Sequence, residues 1–411
     1  MLRIKKLISH SLLLMCCQVG GMIIPLLELP ILTRNLKPTE YGELIYLLGI
    51  TLIAGIIIEY GFNFSVTRKI LSASDPNILG KLCSDVFLAK VFLSIGVIIG
   101  IIIFLSLSSN IRLDKIWLIY IVIISLAIGF TPMWFFIVTE ALIVPAILDL
   151  GIRLLGMTAL LIILPFFPSG EIALLILSIT GILNTLIPSM LMLNQVSCAP
   201  LCCRRSLLLL KEGFHLFIYK STQTIQQALS SLMLGYLGNA QFVGMFAPAE
   251  KLSRAVIGLL VPIINIFFPH FTRLRSAENK ESGKKFFLFF MGIISIGLIM
   301  IMLIIIWLAP LIIQILFGSA YLDSIKILQY MAVLIPFKGM NILCNILWFV
   351  PIGKEKIVNN LIALNIFLVV VMAIIMIPNY GVLGFVLGLI SIEVLILILM
   401  IFFVRITWKA Y

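Results

Sequence analysis

Along most of the chain, apolar residues come in long blocks, and polar residues are confined to short breaks between them. This is neither the period of two of a half-buried strand nor the one-sided period of 3.6 of a surface helix. About 20 apolar residues are what a helix needs to cross a hydrocarbon core of about 30 Å. In lipid each block must satisfy its own backbone N–H and C=O groups, which makes it helical. A β-barrel is excluded, because its strands alternate polar and apolar positions. The pattern predicts twelve spans, at 7–32, 43–63, 84–107, 116–139, 146–167, 172–195, 213–236, 243–269, 286–308, 325–350, 357–377 and 382–404. The expected fold class is an all-α integral membrane protein with twelve transmembrane helices. Arg3, Lys5 and Lys6 followed by an apolar run imitate a signal peptide. The run continues to about Leu32 with no small-residue cleavage site after it, and reads as an uncleaved first span.

Composition agrees: 62% of residues are hydrophobic and 11% charged, against about 25% charged in a soluble domain. The net charge of +12 does not point to nucleic acid. The basic residues form short clusters between apolar blocks, where topology signals sit. With twelve spans they divide sharply. Eighteen fall on one side, including Arg3, Lys5, Lys6, Arg68, Lys69, Lys81, Arg204, Arg205, Arg273, Arg275, Lys280, Lys354, Lys356 and Lys409. Five fall on the other: Arg34, Lys37, Arg112, Lys115 and Lys326. Cytoplasmic loops carry the excess, so both termini are expected inside. No connection is long enough for a soluble catalytic domain. Cys198, Cys202 and Cys203 share a basic loop that lacks a histidine at zinc spacing, so neither a metal nor a cofactor is expected.

The two halves, 1–200 and 201–411, echo each other. "EYGELIY" and "SVTRKI" flank span two, and "FVGMFAP" and "HFTRLR" flank span eight. "WFFIVTEALI" ends span four and "WFVPIGKEKI" ends span ten; "PFFPSGE" precedes span six and "IPNYGVLG" span twelve. Six spans per half give both halves the same orientation. The expectation is two six-helix bundles related by a parallel pseudo-twofold axis, an arrangement in which carriers hold substrate between the halves.

Longer segments carry a family resemblance. "PLLELPILTRNLKPTEYG" (25–42), "EYGFNFSVTRKI" (59–70), "APAEKLSRA" (247–255), "FFPHFTRL" (267–274), "LFGSAYLDSIKILQYMA" (316–332) and "PNYGVLGFVLGLISIE" (378–393) resemble the O-antigen and polysaccharide flippase (Wzx) family of the MATE-like exporter superfamily. Lys37 stands where that family usually has Gly. The resemblance implies two six-helix bundles around a central cavity. It implies a substrate of undecaprenyl-pyrophosphate bearing an oligosaccharide repeat unit, moved from the cytoplasmic to the periplasmic leaflet of a bacterial inner membrane. Membrane lipid and other polysaccharide-assembly membrane proteins are the expected partners.

A charge at the bilayer centre costs about 2.5–3.5 kcal/mol on insertion scales, so intramembrane charges face a cavity or a partner. The basic ones are Lys90, Arg153, Lys220, Lys251, Arg254 and Lys338; the acidic ones are Glu28, Glu59, Asp149, Glu250 and Glu393. The second half holds four basic and two acidic residues, and a pyrophosphate is drawn to that surplus. Arg254, Lys251, Lys338 and Lys220 are the expected pyrophosphate-binding residues. Glu28, Glu59 and Asp149 are the candidates for ion coupling, because a poorly solvated carboxylate gains proton affinity. The competing reading of the basic residues is mutual neutralisation, Glu250 with Arg254 and Lys338 with Glu393. Interfacial anchoring accounts for most tryptophans; a sharper role is stacking of Trp134 or Trp348 on a sugar. Two other functions compete with this one. A membrane polymerase or ligase needs outward carboxylates or a base, and the outer loops offer chiefly Asp114, Glu171 and Asp323 and no histidine. A drug or small-cation exporter of the same fold fits an acidic, aromatic cavity rather than a basic one.

Overall fold

The structure, a computed structural model, describes residues 2–71, 78–107, 115–196, 199–276 and 280–409. Arg112, Asp114 and Cys198 lie outside the described residues, as do the side chains of Arg3, Lys5, Lys6, Lys115, Lys220, Arg273, Arg275, Lys280 and Lys409. All regular structure among the described residues is helical. By packing the chain separates into two units, Met1–Leu232 and Met233–Tyr411.

The first unit contains α1 (Leu2–Asn35), α2 (Pro38–Glu59), α3 (Phe62–Leu71), α4 (Ile78–Leu107), α5 (Lys115–Phe130), α6 (Met133–Val138), α7 (Ile143–Ile163), α8 (Gly170–Leu193) and most of α9 (Cys203–Leu237). Local chemistry sets the boundaries. Lys37 is extended and Pro38 opens α2, where its missing N–H costs nothing. Tyr60 and Gly61, both at positive φ, separate α2 from α3. Ser169 caps α8 by accepting from the Glu171 N–H. Helix α2 packs against α4, α5 and α8, and α1 lies along α7. The α2–α5 contact is close because glycines face isoleucines reciprocally, Gly55 against Ile128 and Gly129 against Ile58. A Cβ on Gly55 would come within 2.5 Å of Ile128. Membrane helices, with no hydrophobic drive between them, rely on such small-residue contacts.

The second unit contains α10 (Ala240–Gly258), α11 (Leu260–Ser276), α12 (Lys280–Phe317), α13 (Ser324–Leu343) and α14 (Glu355–Lys409). Asn239 caps α10 by accepting from Phe242 N–H. Helix α13 is the hub, packing against α10, α12 and α14. It passes into a π-helical turn at Cys344–Phe349 and ends at left-handed Gly353. There Trp348 stacks on Trp408 at 5.0 Å and donates to the Thr407 hydroxyl at 2.8 Å, while Lys284 donates to the Trp408 carbonyl at 3.1 Å.

Among the described residues, ten helical stretches are long and apolar enough to cross a membrane. They differ from the twelve expected in two places. The stretch Glu355–Trp408 counts as one, yet its 54 residues would measure roughly 80 Å as a straight helix, more than twice the hydrocarbon core. It is broken at Gly381, whose φ 62° and ψ −151° are non-helical. Helix α9 has 35 residues but is not among the ten, because Lys220, Gln223, Gln226 and Gln227 interrupt its apolar character. The exterior is apolar in both units: Leu155, Ile162 and Phe166 in the first, Ile296 and Trp307 in the second, are all exposed, as a lipid solvent permits.

Candidate functional site: charged clusters inside the spans

In the second unit, α10 carries Glu250, Lys251 and Arg254 within about one turn of each other. Arg254 Nη2 donates to Glu250 Oε1 at 2.6 Å, the i,i+4 geometry expected from the spacing. On α13, Lys338 Nζ lies 3.9 Å from Glu393 Oε1 of α14. Asn341, three residues beyond Lys338, donates to Glu393 Oε2 at 2.8 Å. Both ion pairs of the neutralisation reading are thus present. They share an asymmetry. The Arg254 side chain is 33% exposed and Glu250 10%; Lys338 is 35% exposed and Glu393 11%. In each pair the carboxylate is the buried member and the cation the outer one. Lys251 is half-buried on the turn between Glu250 and Arg254. Lys220 is on the part of α9 that belongs to the first unit, with its side chain outside the described set.

In the first unit, Glu28 is half-buried on α1 between Pro25 and Pro30. Glu59 is the last residue of α2 and is buried, just before the left-handed Tyr60. Tyr60 in turn stacks on Phe217 of α9 at 4.6 Å. Asp149 accepts from Arg153 Nε at 2.8 Å within α7, and from the Asn184 amide of α8. Lys90 is buried and donates to the Thr131 carbonyl at 3.3 Å. Trp134 and Trp348 are 2% and 3% exposed, and neither presents an open ring face to a sugar. Trp134 belongs instead to a core with Phe135 and Phe136.

Three polar residues in these clusters were not anticipated. Asn341 lies three residues from Lys338 and so on its helix face, which was a readable signal. Asn184 was a polar residue in an apolar span, the kind that bridges helices. Asp85, 5% exposed by side chain, pairs with Arg205 at 3.0 Å. It lies at the edge of its span and 120 residues from its partner, so nothing in the sequence selected the pair.

Known proteins supply the rest. Residues 7–275 match the family described as polysaccharide biosynthesis protein. A relative named "Putative O-antigen transporter" from Shigella dysenteriae is 25% identical over 95% of this chain and 98% of its own length. One of the same name from Escherichia coli (strain K12) is 27% identical over 61% of each. Among solved structures, the lipid II flippase MurJ in an inward closed conformation superposes with a TM-score of 0.75 at 12% identity, covering 97% of this chain and 87% of that one. An inward-facing multidrug resistance MATE family transporter does so at 0.72 and 13%, covering 95% of both. The fold is thus that of the flippase and multidrug-exporter structures. With about two thirds of its length matched, the chain belongs to the polysaccharide biosynthesis protein family, the affinity its motifs displayed.

Proposed function

We propose that this protein flips an undecaprenyl-pyrophosphate-linked oligosaccharide, the O-antigen repeat unit, from the cytoplasmic to the periplasmic leaflet of the bacterial inner membrane. Relatives named as O-antigen transporters and a fold likeness to a lipid II flippase support that substrate class. The observation that carries the reading is the asymmetry of the second-unit ion pairs, with cations outward and carboxylates buried. The isoprenoid tail can stay in lipid, but the pyrophosphate must cross with its charge, and it needs cations that it can reach. Arg254 offers a fork for bidentate hydrogen bonds to phosphate, and Lys251, Lys338 and Lys220 act as point charges. Glu250 and Glu393 stay behind them as competing partners. A head group that must displace a carboxylate is held less tightly, which suits a carrier that releases its load.

In this reading the chain crosses twelve times. The ten apolar stretches gain one crossing from the break at Gly381 and one from α9. The spans fall into two six-helix bundles, within 1–200 and 201–411, around a central cavity, with both termini cytoplasmic. Two repeat-related segments support the parallel repeat: "WFFIVTE" contains the left-handed Glu140, and "WFVPIGKE" the left-handed Gly353. Coupling, where it exists, uses Glu28, Glu59 or Asp149. If Glu28→Gln, Glu59→Gln and Asp149→Asn together leave transport and its pH dependence intact, coupling lies elsewhere.

The test of the head-group site is O-antigen display in a strain lacking the native protein, with each variant's membrane level measured. Compared at equal membrane level, Arg254→Ala and Lys251→Ala should lose display, and Arg254→Lys should lose more than Lys251→Arg because only the former gives up a fork. Full display from the Arg254→Ala/Lys251→Ala double variant would reject the site.

A further inference from the structure

The first unit holds a cavity of about 870 Å³ bounded by α4 from Cys83 to Ile98, α5 from Ile123 to Phe130 and α8 from Ile182 to Leu193. Its wall is largely hydrocarbon, and three polar side chains along it are turned onto backbone carbonyls. Ser84 donates to Ala199 O at 2.6 Å, Ser94 to Lys90 O at 2.7 Å and Thr185 to Ala127 O at 2.5 Å. Ile95 on α4 and Leu186 on α8 both line the cavity and are exposed, so it opens sideways onto the apolar exterior. Along α4 it runs for roughly 22 Å at 1.5 Å per residue.

One end is basic. Lys81 lies one turn before Ser84 on α4. Ala199 and Leu201 close that end, and the Ala199 N–H donates to Gly80 O at 3.2 Å. Arg204, exposed, and Arg205, paired with Asp85, follow at once. Lys90 is the one charged side chain among the described residues of the wall. An apolar slot with a cationic mouth on the side of the basic loops matches a lipid with an anionic head group. Size narrows the choice. A helix about 11 Å across and 22 Å long takes up roughly 2,000 Å³, too much for this slot. At roughly 30 Å³ per carbon, about the share of one water, the cavity holds about thirty carbons, close to the two chains of one phospholipid.

We propose that this groove is a site for one anionic phospholipid of the cytoplasmic leaflet. The acyl chains lie between α4 and α8 over α5, and the head group sits at Lys81 and Arg204. This site is distinct from the charged clusters of the second unit and does not depend on their role.

The experiment is native mass spectrometry of the full chain in mild detergent, with phosphatidylglycerol or phosphatidylcholine added at equal concentration. The expected result is one retained phosphatidylglycerol, with phosphatidylcholine retained at least several-fold less. Lys81→Gln and Arg204→Gln should each weaken the preference by about fivefold. Leu186→Trp and Ile95→Trp fill the groove from opposite walls, and each should abolish retention while leaving the thermal unfolding of the lipid-free protein unchanged. Equal retention of the two lipids, or retention that survives both tryptophan variants, would overturn the proposal. So would displacement of the bound phospholipid by a polyprenyl phosphate, which would make the groove a seat for an isoprenoid tail.

Discussion

Glu393 shows how a carboxylate is tolerated within a span. It is held from two directions, by the Lys338 ammonium at 3.9 Å and the Asn341 amide at 2.8 Å, and it is nearly buried while Lys338 is not. Removing one partner of a buried pair costs about 3–5 kcal/mol; with Lys338 a third exposed, about 1–2 kcal/mol is the expected scale for Lys338→Met. That variant should lower the membrane level or thermal midpoint, and Lys338→Met/Glu393→Gln should recover most of the loss. A double variant as unstable as the two single losses added would show that no pair exists. At this scale the sequence was partly legible. Glu250 and Arg254 sit four apart on one helix, so spacing alone puts them in reach. Lys338 and Glu393 were paired only by charge balance across spans. Asp85 with Arg205, and Asp149 with Asn184, depend on how helices pack, which spacing does not encode.

Among elements, breaks in the helices position these residues. Gly381 divides α14 with a φ/ψ combination open almost only to glycine. Gly381→Ala should therefore cost about 1–3 kcal/mol, read as a lower unfolding temperature of the purified protein. An unchanged temperature would mean the two arms of α14 do not need this bend. The boundaries at Pro38, Ser169 and Asn239 were readable because proline and cap residues act locally. Tyr60 was not, since an aromatic residue carries no turn signal; its left-handed backbone is held by stacking on Phe217, more than 150 positions away. At the π-helical turn Cys344–Phe349, Pro351 just beyond it is a readable break, but the packing of Trp348 on Trp408 and Phe287 is not written in the local sequence.

For the whole molecule, lipid as solvent made the fold class legible, because blocks of apolar residues can only be helices there. The number of crossings was harder. Helix α9 is polar in its middle, so apolar character alone does not mark it as a span even though its length exceeds what a crossing needs. Topology is therefore the sharpest check on twelve crossings. Reporter fusions should read cytoplasmic at Lys354 and periplasmic at Lys326, and the reverse at either point would reject that path.

On the proposed function the protein moves a finished lipid-linked repeat unit between leaflets, and the leaflet in which that lipid sits is the decisive observable. Cells depleted of the protein are converted to spheroplasts and treated with a membrane-impermeant reagent that labels the glycan. Lipid-linked single repeat units should accumulate and stay unlabelled until the membrane is permeabilised, and restoring the protein should make them reactive from outside. Repeat units that are labelled in intact depleted spheroplasts as readily as in restored ones would contradict it.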